Sequence, residues 1–382
     1  VMVSVDPKSD LAAYRGAAGR EPAEAPAGLL PEVARAMLPL VDATLAAQRR
    51  GDGLFHAYNL LRFEAHGVEV DALYPMLEGQ VAVLASAGLP PAERVALLDA
   101  LFASPLYDPV RRSFVLYPDR RLPGFLERNR LDVHALALPV VQAALAQRRT
   151  DLLQTQADGT VRFAPGLTNR RALEAVLARG APLGADPAPL LQAYERLLGH
   201  HAFTGRSGTM FAYEGLGCIY WHMVAKLLLA VQDGVFEAFD AGAPELPRLV
   251  AHYRAVRDGL GWRKRVDEFG AFPFDAYSHT PADGGAQQPG MTGQVKEESL
   301  ARWGELGVRV QRGRIRFCPV LVDAAEVPEG GALAFTYRRV PWRIRVGSRA
   351  ALRVQRADGW HDAEDLGFDP AGVLAVEAWT TR

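Results

Sequence analysis

The stretch LLPEVARAMLPLVDATLAAQRR, residues 29–50, has its apolar residues at helical spacing and ends at the breaker Gly51-Asp52-Gly53. The sequence therefore predicts a helix here, and the same spacing recurs along the chain. Further helices are expected at about 70–87, 91–103, 131–148, 169–180, 187–199, 214–233 and 244–258. Helices are thus expected to dominate as far as about residue 305.

The pattern changes after Gly307 to short runs in which apolar and polar residues alternate, a period typical of strands. In Arg343-Ile344-Arg345-Val346 this alternation predicts a sheet with one solvated face. We expect five short antiparallel strands, within VRVQRGRIRFCPVLV, ALAFTYRRV, WRIRV, ALRVQR and VLAVEAW. The predicted fold is therefore mainly α, with a helical domain over residues 1–305 and a small antiparallel β domain over 306–382.

The composition bears on whether the protein binds nucleic acid or a membrane and on where it is located. The chain has 382 residues with 49% hydrophobic residues and a formal charge of −1, so it predicts a sizeable core and no nucleic-acid partner. No apolar stretch reaches the roughly 18 residues that span a bilayer, so no membrane association is expected. Cys218 and Cys318 are interpreted as buried core residues, which favours a cytoplasmic protein. Because the sequence begins at Val1, additional domains of a longer chain are an expected partner.

The segment FTGRSGTMFAYEGLGCIYWHMVAKLLLAVQD, residues 203–233, is the first candidate site. A glycine-containing loop with Arg206 and Tyr213 leads to Glu214 in the first turn of a predicted helix that also carries His222. The helix dipole stabilises a carboxylate in this position, so Glu214 is a candidate base or stabilising anion. The alternative is a capping Glu with glycine-mediated helix packing.

The second candidate site lies in residues 269–307, where a Gly- and Pro-rich stretch predicts an irregular loop followed by a helix. Amide, imidazole, phenol and carboxylate groups beside aromatic residues are typical of a site for a neutral polyhydroxyl ligand. Carbohydrate is therefore the preferred ligand class. The candidates are Asp275, Tyr277, His279, Asp283, Gln287 and Gln288 on the loop and Glu297 on the helix.

Several other chemistries are disfavoured. His200 and His201 lack the spacing of a metal site, and the glycines between residues 284 and 293 match no nucleotide-binding motif, so we expect neither a metal nor a cofactor. That glycine run does end at a predicted helix N-terminus, where inorganic phosphate could bind. A nucleophilic pair of Ser278 and His279 is disfavoured because adjacent side chains seldom face each other.

The strings TGRSGTMFAYEGLGCIYWHMVAKL (204–227) and YSHTPADGGAQQPGMTGQVKEE (277–298) resemble segments of large bacterial proteins described as cellobiose-phosphorylase-like. The combination of helices, ligand-type loops and a C-terminal β segment is similar to the (α/α)-toroid, six-hairpin glycoside hydrolases and phosphorylases. The resemblance implies a helical toroid that cleaves glycosidic bonds in an oligosaccharide or polysaccharide, with inorganic phosphate as a further partner if the reaction is phosphorolysis.

In such an enzyme an acid and a base carboxylate lie about 6.5 to 9.5 Å apart and the reaction inverts the anomeric centre. The resemblance implies Glu214 with one of Glu297, Asp283 or Asp275 as this pair. The implied sugar ligands are Arg206, Tyr213, His222, Tyr277, His279, Gln287 and Gln288. Two alternatives stay open: a polysaccharide lyase in which Tyr277, His279 and Arg206 act on a uronate, and a non-catalytic carbohydrate-binding or structural fragment.

Overall fold

The computed structural model describes residues 29–57, 59–64, 67–86, 88–119, 124–198, 216–282, 284–289, 293–367 and 369–381. Its helices are α1 Leu29–Gln48, α2 Leu77–Ala85, α3 Pro91–Phe102, α4 Phe125–Arg128, α5 Val133–Leu136, α6 Pro139–Ala146, α7 Arg170–Arg179, α8 Ala188–Leu198, α9 Trp221–Asp240, α10 Leu246–Asp258, α11 Val266–Phe269 and α12 Gly293–Glu305.

The strands form several small sheets. Three hairpins pair β1 with β2, β3 with β4 and β5 with β6, while β7, β8 and β9 form a three-stranded sheet. The C-terminal region holds the sheets β10-β11-β16 and β12-β13-β17-β14-β15. The strands are β1 Leu60–Glu64, β2 Gly67–Asp71, β3 Tyr107–Asp108, β4 Ser113–Phe114, β5 Leu153–Thr155, β6 Val161–Phe163, β7 Ile219–Tyr220, β8 Tyr277–Thr280, β9 Gln287–Pro289, β10 Val308–Gln311, β11 Arg314–Phe317, β12 Leu333–Tyr337, β13 Val340–Val346, β14 Ala351–Arg356, β15 Gly359–Asp362, β16 Asp365–Gly367 and β17 Ala375–Thr380.

The expectation of a mainly α helical toroid is wrong. Among the described residues 42% are helical and 22% lie in strands, so the fold mixes both kinds of structure. The predicted helix at 131–148 is divided in two, because Pro139 lacks the backbone N–H that a continuous helix requires and instead starts α6. The predicted helix at 70–87 is a strand as far as Asp71 and becomes helical only at Leu77.

The five-stranded sheet at the C-terminus is not purely antiparallel. Strands β13 and β17 run parallel, with Ile344 opposite Ala378, and a parallel pair needs a long connection, which residues 347–374 provide. The predicted alternation is confirmed, since Trp342 and Ile344 are buried while Arg343 is exposed. One face of this sheet is therefore apolar and buried, and the opposite face carries arginines and is solvated.

The chain divides into two compact units, one of residues 120–214 and one of residues 1–119 with 215–382. In the smaller unit the hairpin β5–β6 and the helices α7 and α8 enclose a core that includes Phe163, Leu173 and Tyr194. The buried Asn129 holds this core to the hairpin, because its side chain both donates to and accepts from the backbone of Phe163 at 2.9 Å. The predicted domain boundary near residue 305 stays a prediction.

Helix α9 is the central element of the larger unit and packs against α2, α10 and α12. Its apolar residues recur at helical spacing and are buried, as at Val224, Leu228 and Val231. Helix α12 approaches α9 closely at Gly304, where an added Cβ would lie 2.5 Å from the side chain of Gln232. The first half of α12 lies beside the N-terminus of α9, where Glu297 contacts His222.

Two expectations from composition concern membrane-spanning helices and the cysteines. Within the described ranges no helix combines the length and the apolar character that crossing a bilayer requires. Cys218 and Cys318 are both buried and free, as predicted, although Cys218 precedes strand β7 and does not lie in a helix. Burial raises the pKa of the Cys218 thiol to about 11, so this side chain behaves as a small core residue.

Candidate functional site

Four of the predicted site residues, Glu214, Arg206, Tyr213 and Asp283, lie outside the described residues. Their roles as acid, base or sugar ligand stay predictions. The other candidates lie on strands β8 and β9, on helices α9 and α12, and in the segment just before β8. All of these elements belong to the larger unit.

The three-stranded sheet β7-β8-β9 brings together residues that are distant in sequence. Tyr220 of β7 pairs with His279 of β8, and His279 pairs on its other side with Gln287 of β9. The expectation of an irregular loop is therefore wrong for β8 and β9. Glycines do serve the connection between them, because Gly285 has a φ of 64°, a conformation that is unstrained only without a Cβ.

The junction between β7 and α9 fixes the position of His222. Trp221, the first residue of α9, is fully buried and its indole Nε1 donates a hydrogen bond of 2.8 Å to Thr280 Oγ1. Its ring also packs against Phe269, with centroids 4.8 Å apart. Because Trp221 is held on both sides, the following His222 lies beside the sheet with 22% of its side chain exposed.

His222 contacts one polar group at each ring nitrogen. Its Nε2 lies 3.3 Å from Glu297 Oε1 and its Nδ1 lies 3.3 Å from the hydroxyl of Tyr220. In the tautomer with its hydrogen on Nε2, His222 donates to Glu297 Oε1, and its Nδ1 accepts from the Tyr220 hydroxyl. Distances at this long end of the range are common for acid–base groups in ligand-free sites. We call Tyr220, His222 and Glu297 the proton relay.

Glu297 is the buried end of the proton relay. Its side chain is 6% exposed, and its Oε2 accepts no hydrogen bond from any described residue. The ammonium of Lys296 lies 3.5 Å from that oxygen, but the Lys296 side chain is itself 69% exposed. A buried carboxylate is unfavourable without a nearby positive charge. Besides Lys296, the described polar group nearest to this carboxylate is the imidazole of His222.

His279 supports the relay from the sheet. Its ring stacks on that of Tyr220 at a centroid distance of 4.7 Å and an angle of 9°, which orients the phenol toward His222. Its Nδ1 lies 2.8 Å from Ser278 Oγ. The expectation that the adjacent side chains of Ser278 and His279 would not face each other is therefore wrong. The contact leaves His279 as a positioning group for Tyr220.

The remaining candidates do not join the relay. Asp275 lies in the wall of a cavity on another face of α12. Tyr277 packs on Phe269 at a centroid distance of 5.9 Å, and Gln288 is exposed with a φ of 60°. Gln287 shares the sheet with His279. In the part of the chain that the structure describes, none of these side chains forms a hydrogen bond or ion pair with a relay residue.

Tyr220 contacts both His222 and His279 but is absent from the predicted set. The sequence carries a signal for it, because Tyr220-Trp221-His222 places two polar aromatic groups on either side of a buried Trp. The strand that ends at Tyr220 has only two residues, however, and so short a strand has no detectable period. Because a helix was predicted from residue 214 onward, the junction between β7 and α9, which brings Tyr220 and His222 together, was not predicted.

Within residues 29–381, leaving out the undescribed gaps, no group of three or more His, Cys, Asp or Glu side chains could hold a metal ion. No protein-family model matches the sequence, and no curated protein matches it. The resemblance to glycoside hydrolases and phosphorylases therefore stays a prediction, and the toroid that it implied is the part that the fold overturns.

Proposed function

We propose that this chain is a carbohydrate-active enzyme that cleaves glycosidic bonds by acid–base chemistry at the proton relay. The observation that carries the proposal is the continuous series of contacts from the Tyr220 hydroxyl through His222 to the Glu297 carboxylate. The preference for carbohydrate comes from the aromatic, amide and carboxylate groups that surround this region of the sequence.

Each member of the relay has a distinct role in the proposed reaction. A water molecule gives its proton to the Tyr220 oxygen while Tyr220 gives its own proton to His222 Nδ1. The positive charge that forms on His222 is stabilised by the ionised Glu297 beside Nε2, and the hydroxide equivalent attacks the anomeric carbon. Proton transfer by a positioned side chain contributes roughly 100- to 10,000-fold to a rate.

A second carboxylate would protonate the departing oxygen in this proposal. Asp275 and the relay lie on different faces of α12, and Glu214 and Asp283 lie outside the described residues. Inversion, the partner carboxylate and the use of inorganic phosphate all stay predictions. The two free, buried cysteines support a cytoplasmic location, where thiols remain reduced.

Elimination from a uronate polymer is the second candidate function. The contact between Tyr220 and His222 favours it, because lyases of this class remove a proton beside the carboxylate with a Tyr and a His. The pair that supports it is Tyr220 with His222, in place of the predicted Tyr277 with His279. The two reactions differ in product: hydrolysis releases a saturated reducing end, whereas elimination creates a double bond that absorbs in the ultraviolet.

The test is an activity screen on cello-oligosaccharides, with and without inorganic phosphate, and on polygalacturonate. We expect new reducing ends from a neutral oligosaccharide, and His222→Gln and Glu297→Gln each to lower kcat by about 100-fold or more. The matched control is His361→Gln, since His361 lies on an exposed strand far along the sequence and should leave kcat unchanged.

Each outcome of the screen decides between the candidates. Ultraviolet absorbance from polygalacturonate alone would replace hydrolysis with elimination. Full activity in Tyr220→Phe, His222→Gln and Glu297→Gln would refute the proposed relay. If no saccharide in the screen is cleaved under any of these conditions, the proposal of a glycosidic enzyme is wrong.

A further inference from the structure

A cavity of about 540 Å³ lies between α10, α12 and the segment that precedes β8. Aromatic rings form much of its wall, from Trp262, Phe274 and Trp303. Trp262 is 48% exposed and Phe274 is 80% exposed, although rings of this size are usually covered by other parts of a chain. Phe274 also stacks with Phe272 at a centroid distance of 5.7 Å. The cavity therefore opens beside an exposed aromatic platform.

Gln294, in the wall of this cavity, has a side-chain oxygen that accepts no hydrogen bond from a described residue. The residue is 5% exposed, and its Nε2 donates a hydrogen bond of 2.7 Å to Glu298 Oε1. Because only the amide nitrogen can donate to a carboxylate, this contact fixes the orientation of the amide group. Its Oε1 is buried and accepts no hydrogen bond from any described residue. An unpaired buried acceptor is unfavourable, and a ligand hydroxyl would satisfy it once the Gln294 side chain turns toward the cavity.

The charges in the wall favour a neutral ligand. Arg257 lies 3.3 Å from Glu298 and 2.8 Å from Glu305, and Arg302 lies 2.5 Å from Glu326. Both arginines of the wall are therefore already paired with carboxylates. An anionic ligand would have to compete with these ion pairs, whereas a neutral one leaves them intact.

We propose that this cavity binds a neutral saccharide, with the apolar face of a sugar ring on the aromatic platform and a sugar hydroxyl donating to Gln294 Oε1. The choice of saccharide rests on the proposed function. Gln294 lies one helical turn before Glu297 on α12, so the cavity and the proton relay share one element. The cavity and the relay lie on different faces of that helix, so the cavity would be a saccharide-binding site separate from the point of cleavage.

The test measures binding of cellotetraose by the change in tryptophan fluorescence, which the half-exposed Trp262 in the wall should report. The Glu297→Gln variant is the background, so that no substrate is cleaved during the titration. Gln294→Leu should weaken binding roughly ten-fold, because it removes the buried acceptor. Phe274→Ala should weaken binding several-fold. Because Phe274 is exposed, this substitution should not unfold the protein, so a loss of affinity would reflect the lost contact with the ligand. The control is Phe239→Ala, an exposed ring on α9 that should leave affinity unchanged.

The outcomes separate this proposal from the proposed function. Unchanged affinity in both Gln294→Leu and Phe274→Ala, or no fluorescence response to cellotetraose, overturns the saccharide cavity even if the relay variants lose activity. Tighter binding of tetragalacturonate than of cellotetraose overturns the neutral ligand. Binding that depends on Gln294, together with full activity of the relay variants, would sustain the cavity and refute only the relay.

Discussion

The guanidinium of Arg94 on α3 lies 2.8 Å from the carboxylate of Glu237 on α9, and the Arg94 side chain is only 2% exposed. The same guanidinium donates to backbone carbonyls at the end of α2, those of Leu84 and Ser86. A cation in this position satisfies carbonyls that have no partner within their own helix and matches the helix dipole. One side chain thus connects three helices of the larger unit.

Replacing this guanidinium should therefore destabilise the protein strongly. We expect Arg94→Ala to lower the free energy of unfolding by about 3 kcal/mol, because it leaves buried carbonyls without donors. The matched control is Arg248→Ala, whose side chain is 61% exposed and whose pair with Asp99 should contribute less than about 1 kcal/mol. Urea denaturation measures both. Similar small losses for the two variants would contradict the role assigned to Arg94.

The contact between α12 and α9 at Gly304 gives a second prediction. A Cβ at this position would lie 2.5 Å from the side chain of Gln232, which is held by a hydrogen bond of 2.8 Å to Ala301 O. Gly304→Ala should therefore lower the free energy of unfolding by about 2 kcal/mol through overpacking. Gly166→Ala, where no atom lies within 4 Å of the added carbon, should change it by less than about 0.5 kcal/mol.

The same substitution has a functional readout, because the two helices that it separates carry His222 and Glu297. We expect kcat of the folded Gly304→Ala variant to fall as the contact between imidazole and carboxylate lengthens. An unfolding free energy like that of the unaltered chain would show that the two helices are not in close contact.

The buried Lys264 gives a prediction about pH. Burial, followed by the positive charge of Arg112, lowers the pKa of this ammonium from 10.5 to about 8. The folded state then holds fewer protons than the unfolded state between these two values. The free energy of unfolding should therefore rise with pH from about 8 to about 10.5, by up to about 3 kcal/mol. Below pH 8 both states are protonated and the unfavourable effect of Lys264 is fully present.

The measurement is the difference in unfolding free energy between the unaltered chain and Lys264→Met across this pH range. Taking the difference removes other groups that titrate there, such as Tyr253, whose pKa burial raises. The exposed Lys226→Met is the control and should give no slope. A difference that does not change with pH would show that the Lys264 ammonium keeps its ordinary pKa.

Much of the helical structure could be predicted because it depends on local periodicity. Helices α3, α7, α8 and α10 lie within about two residues of their predicted bounds, since each has a regular apolar face and a defined start. Strands of two to four residues could not be predicted in this way. Their pairing is non-local, as in Tyr220 with His279, and a window along the chain contains no information about its partner.

The candidate site was predictable in part for the same reason. His222, His279 and Glu297 stand in segments with unusual numbers of polar and aromatic groups, and the fold brings all three close to Tyr220. Asp275 has the same sequence signal but lies on the far side of a helix. Composition identifies segments rich in polar and aromatic side chains. Which of these side chains come into contact is decided by the packing of α9 against α12.

Helix α12 carries Glu297 toward His222 and Gln294 toward the cavity, one turn apart on a segment of 13 residues. A short α-helix moves as a rigid rod, so a shift of one of these side chains displaces the other by a similar amount. A substitution that shifts this helix would therefore affect the surroundings of both Gln294 and Glu297. A change that moves Gln294 would also alter the distance between the Glu297 carboxylate and His222.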